Sequence, residues 1–140
     1  MRNDPKSLVG RFYADVWNRA DEQAARQILH AELTFRGSLG PSRRGLDGFI
    51  EYMRSIHAAL GDYRCTIDEL IATDRQAAAR MQFTGVHRGV FFGVPATGRQ
   101  ITWAGSAFFK VANGKIIDIW VLGDVDSVKR QLGAATADTF

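Results

Sequence analysis

The chain is poor in the residues that staple or ligate. One cysteine, Cys65, stands among 140 residues, which excludes an internal disulfide and a cysteine-rich metal site. Its three histidines, His30, His57 and His87, lack the close spacing of paired zinc ligands, so no metal is expected. Apolar runs such as Gly89 to Val94 fall far short of the ~20 residues that a membrane span needs. No basic-then-apolar leader is recognisable, and a cytoplasmic location is the expectation. Charge of one sign is scarce as well: 18 Lys and Arg against 15 Asp and Glu leave a net +3, scattered along the chain. Without cations interleaved with stacking aromatics, no nucleic-acid partner is expected. Gly85, Gly89 and Gly93 lie inside a strand pattern rather than between a strand and a helix, so they make no phosphate cradle. No serine sits in a nucleophile elbow. No cofactor is expected.

What is present is ordinary globular material. Apolar residues make up 46% and charged residues 24%, and the length suits one domain over residues 1–140. Asp4 and Pro5 open a helix whose apolar residues Leu8, Val9, Phe12, Tyr13, Val16, Trp17 and Ala20 step by threes and fours. Asp21 caps a second helix running to about Leu29. Glu32 to Ser38 reads as a short strand, followed by a loop marked by Gly37, Gly40, Pro41 and Gly45. Leu46, Phe49, Ile50, Met53, Ile56, His57 and Leu60 give a third helix. The period then changes to two, predicting strands over Arg64 to Ala72, Gln76 to Phe92, Ile101 to Ala112 and Lys115 to Leu122. Asn113–Gly114 joins the last two as a tight hairpin. Asp124 or Asp126 caps a final helix around Ser127 to Leu132, and the tail from Ala134 reads as loose.

Helices early and strands late make an α+β fold. A long, curved antiparallel sheet with three helices against one face would form a cone, with a small-molecule pocket between the layers. Trp103, Gly105, Ala107, Phe109 and Val121 would supply an apolar inner wall. The opposite face, carrying Phe108, would be covered by a second copy of the chain.

Several stretches then carry a resemblance: Phe12 to Asn18, Gly85 to Phe91, Gly93 to Arg99, Asn113-Gly114-Lys115-Ile116, and Asp124 followed by Gln131-Leu132-Gly133. In their order and spacing, over about residues 8 to 133, the chain resembles the SnoaL-like polyketide cyclases of the nuclear-transport-factor-two-like superfamily. The resemblance implies the cone fold and an acid–base pair, an aspartate on the last strand and a histidine on the strand before it. Registered on the Asn-Gly-Lys-Ile hairpin, those positions hold Val121 and Ala107 here. Neither side chain transfers a proton, so the aldol cyclisation does not carry over with the fold. Limonene-epoxide hydrolases share the fold, but their Asp-Arg-Asp set has no match.

Other residues are candidates for the chemistry. Asp124, just past the last strand, is either a helix cap or a desolvated acid–base group. His87 can face the pocket from the long strand or serve as a hydrogen-bonded strand histidine. His57, on the apolar stripe of the third helix, must bond inside the core or point into a cavity. Arg36 can clamp an enolate oxygen at the cone mouth, or pair on the surface with Glu32 or Asp47. Trp103, Trp120, Met53, Phe91, Phe35 and Trp17 would shape the pocket, and Cys65 reads as a small buried residue. The resulting expectation is a cofactor-independent cyclase, isomerase or hydrolase acting on a small hydrophobic carbonyl compound. Its competitors are a non-catalytic ligand-binding dimer using the same pocket, and a scaffold whose sheet face is its purpose.

Overall fold

A computed structural model describes residues 3–133. The elements are α1 (Pro5–Arg11), continued by a π-helical turn (Phe12–Trp17), then α2 (Glu22–Ile28), β1 (Leu29–Arg36), β2 (Arg43–Arg44) and α3 (Gly45–Ala59). They are followed by β3 (Leu60–Ala72), β4 (Gln76–His87), β5 (Gln100–Ala112), β6 (Lys115–Gly123) and α4 (Val125–Leu132). The expected loose tail from Ala134 lies outside the described residues.

Local chemistry accounts for the boundaries. Asp4, Asp21 and Asp124 each accept a backbone N–H three residues on, at 3.0 Å, which satisfies one orphan donor at a helix start. Asn113 and Gly114 take positive φ angles of 54° and 74°, the geometry of a two-residue hairpin turn. The first helix does not stay α. The Asn18 N–H reaches back five residues to the Tyr13 carbonyl at 2.9 Å, and the widened turn brings Phe12, Tyr13, Val16 and Trp17 all into the interior.

The sheet runs in the order β2-β1-β6-β5-β4-β3. Neighbours are antiparallel except β1 and β6, which lie parallel, so the sheet is mixed where an antiparallel one was expected. Chain order explains it: α3 and the long meander β3 to β6 intervene before β6 comes back beside β1. The two-residue β2 has no signal in the sequence, being paired only to Thr34 and Phe35. Strand β4 stops at His87 rather than Phe92, because Phe92 and Gly93 have positive φ and turn the chain so that Phe91 and Val94 bond each other. Near that same end of the sheet, the Gln131 side chain of α4 bonds both the N–H and the C=O of Thr102, replacing the strand neighbour that β6 no longer provides.

Alternation then sorts the side chains. Along β4 and β5 the odd-numbered residues Ala77, Ala79, Met81, Phe83, Ile101, Trp103, Ala107 and Phe109 are buried against the helices. Phe12 lies at the centre of this core, with ring centroids of Tyr13, Phe49 and Phe109 within 5.0–5.7 Å. The outward face leaves Ile71, Phe108, Trp120 and Leu122 exposed.

Candidate functional site

Between helices and sheet lies an interior cavity of about 30 Å³. Phe12, Tyr13 and Trp17 of the π-helical turn and Tyr52 of α3 line one side. Tyr63 and Cys65 of β3, Phe83 of β4, Trp103 of β5, Val121 and Gly123 of β6, and Phe35 of β1 line the other. Gly37, Ser38 and Leu39, just after β1, close the top. Missing side chains keep the space open: a Cβ on Gly37 would stand 2.6 Å from the Tyr52 hydroxyl, and one on Gly123 3.1 Å from Trp103 Nε1. Small-molecule sites are typically ten or more times roomier, so a ligand would have to displace part of this lining. Ser38 ties the Gly37–Leu39 segment to β6, donating to the Val121 carbonyl at 3.0 Å and accepting from the Gly123 N–H at 2.5 Å.

The polar lining consists of neutral donors. Burial holds the Tyr13 and Tyr63 phenols well above the ordinary tyrosine range, with the nearby Cys65 adding to the effect. Tyr52 is pushed up to about 12, also chiefly by burial, against a hydrogen bond from the Leu39 backbone. Burial raises the Cys65 thiol as well, outweighing its bond with Tyr63. All four groups therefore keep their protons at neutral pH. The Cys65 backbone is fixed by Asn18, whose side-chain amide bonds its C=O at 3.0 Å and its N–H at 2.7 Å. The Tyr13 hydroxyl is buried and has no hydrogen-bond partner among the described residues. Among the described residues, no carboxylate or imidazole lines the cavity.

The structure brings together three of the sequence candidates, Trp17, Phe35 and Trp103, in this lining. Met53 is buried in the core without reaching the cavity, and Phe91 lies in the loop after β4, packed on Phe92 and facing His87. Trp120 is on the outer face, 39% exposed and edge-on to Phe108, because strand neighbours alternate and Val121 takes the inner side. Arg36 is also outside, its guanidinium 5.1 Å over the Trp120 ring and donating to the Val121 carbonyl.

Asp124 is exposed and caps α4. His87 is buried and fully used. Its Nδ1 accepts the Thr97 N–H at 3.2 Å, which makes Nε2 the protonated nitrogen, donating to the Val94 carbonyl at 3.1 Å. The imidazole thereby clips the loop after β4. His57 donates from Nε2 to the Trp17 carbonyl at 2.9 Å and stacks on the Trp17 ring. The four candidates for proton transfer and charge stabilisation thus occupy separate places. Tyr63 was not singled out in the sequence and Cys65 was read only as a small buried residue, although their spacing of two puts both on the inner face of β3.

Burial lowers the His57 pKa below the usual 6.5, against the opposing effect of its bond to Trp17. Protonation therefore favours the unfolded chain, and stability falls as pH drops below about 6.5 towards the lower folded value. A His57→Gln variant, which retains a donor, is expected to flatten that part of the pH profile, measured by urea midpoints between about pH 7 and 5.

The sequence profile of the family described as SnoaL-like polyketide cyclase matches residues 7–132. Among solved structures, TsrD from Streptomyces laurentii superposes with a TM-score of 0.81 at 29% identity, covering 92% of this chain and 94% of that one. A SnoaL-like polyketide cyclase from Agrobacterium tumefaciens superposes at 0.76 with 22% identity, over 95% of this chain and 100% of that one. No curated protein matches the sequence.

Proposed function

Because the chain belongs to the SnoaL-like polyketide cyclase family, we propose that its interior cavity binds a small hydrophobic carbonyl compound and favours its enol form without a cofactor. The observation that carries this reading is a cavity lined by aromatic rings whose polar groups are all proton-bearing donors, Tyr13, Tyr52, Tyr63 and Cys65 among them. Such donors do not take a proton from carbon. They stabilise the oxygen on which negative charge builds as an α-proton leaves to water, and they do so in a site of low dielectric. Val121 and Ala107 face each other directly across β5 and β6, where the resemblance places the family's acid–base pair. The chemistry is therefore restricted to substrates with an acidic α-proton, such as a 1,3-diketone.

The absence of an inward carboxylate or imidazole favours a second reading, a non-catalytic binder of the same class of molecule. We also propose a second copy of the chain as the cover for the outer face, where Phe108 is 50% exposed beside Trp120.

Benzoylacetone separates the readings, because its keto and enol forms differ in ultraviolet absorption. The expected result is saturable binding together with α-proton exchange accelerated by about 10²-fold over buffer, the scale of one well-placed donor. Binding without acceleration leaves the binder; no binding overturns both. Sedimentation of the same sample is expected to show a dimer.

A further inference from the structure

The hydroxyls in the cavity differ in what already partners them. Tyr63 is bonded to Cys65, and the Tyr52 oxygen accepts the Leu39 backbone N–H, so both are held by the protein, although Tyr52 keeps its own proton. Tyr13 alone among the three is buried without a partner among the described residues, and it lines the cavity. Its ring has little freedom to turn away. Phe12 and Phe109 pack edge-on against it at 5.0 and 6.0 Å, and its backbone carbonyl is held by Asn18 in the π-helical turn. A buried hydroxyl without an acceptor destabilises the fold that contains it. A bound oxygen in the cavity would remove that penalty.

We infer that Tyr13 is the anchoring donor for an uncharged oxygen of the bound molecule, a ketone or phenol, and that the cavity rejects carboxylates. The second half follows from the lining, which among the described residues includes no Lys, Arg or His. A carboxylate there would lose its hydration without gaining a counter-charge, whereas a ketone needs only one donor. The inference deepens the proposed function and rests on its reading of the cavity as a small-molecule site. It names the group that orients the ligand.

Three probes of nearly the same shape test it: acetophenone, α-methylstyrene, which has a methylene in place of the oxygen, and benzoate. Quenching of Trp17 and Trp103 reports binding, since both line the cavity. The unmodified protein is expected to bind acetophenone about tenfold more tightly than α-methylstyrene, one hydrogen bond's worth, and benzoate more weakly than either. Tyr13→Phe is expected to abolish the ketone preference, leave the Kd for α-methylstyrene unchanged, and melt no lower than the unmodified protein. In the unmodified protein, the carbonyl stretch of bound acetophenone is expected to shift to lower frequency than in hexane, a measurement that needs no variant.

A ketone preference that survives in Tyr13→Phe, a lower melting point of that variant, an unshifted carbonyl stretch, or benzoate binding as tight as the ketone's overturns the anchor while leaving the cavity a binding site. Failure of all three probes to bind overturns the cavity reading itself, and the anchor with it.

Discussion

An aspartate in place of Val121 is expected to destabilise the fold by about 3–5 kcal/mol at neutral pH, the cost of a buried charge left without its partner. Residue 121 lines the cavity among aromatic rings, and its opposite number across the sheet is Ala107, a methyl group. Burial would raise the new carboxyl's pKa, so the folded protein would hold its proton where the unfolded chain has lost it. The penalty is then full above the raised folded value and disappears as pH falls below the unfolded value of about 3.9. Urea midpoints of Val121→Asp at several pH values measure this directly. Adding Ala107→His places an imidazole directly across from the carboxylate. The double variant is expected to be more stable than the sum of the two single changes by about 0.5–3 kcal/mol. Additive costs would mean that the two positions do not face each other in the fold.

Phe12→Ala is expected to cost about 3–5 kcal/mol, much of the roughly 5–15 kcal/mol that holds a domain of this size together. Phe12 is fully buried where the π-helical turn, α3 and β5 meet, touching the rings of Tyr13, Trp17, Phe49 and Phe109. No neighbour can fill the hole without leaving its own contacts. Phe12→Leu keeps most of the volume and is expected to lose about 1.5 kcal/mol or less. Denaturant titration with an unchanged slope checks both; equal losses would show that the site collapses freely around either residue.

Much of the fold was legible. The caps at Asp4, Asp21 and Asp124, the helical stripes and the Asn113–Gly114 hairpin depend on residues within a few positions of one another, and each appears where the local pattern puts it. The π-helical turn was not legible, because an α-helical and a π-helical reading of Phe12–Trp17 bury nearly the same side chains. The candidate site was read less well for a related reason. Histidines and carboxylates draw attention as proton carriers, but Asp124 caps a helix and His87 clips a loop. The tyrosines that line the cavity look, in sequence, like ordinary core residues.

By itself the sequence determined the α+β class, the order of the elements apart from β2 and the π-helical turn, and the inward face of β5, because periods of 3.6 and 2 are properties of short segments. Only the tertiary structure decided that β1 runs parallel to β6, that Tyr13, Tyr63 and Cys65 meet around a small space, and that the Tyr13 hydroxyl is left there without a partner among the described residues. Those facts join residues about fifty to ninety positions apart, and no local pattern records which distant segment will supply, or withhold, a hydrogen-bond acceptor.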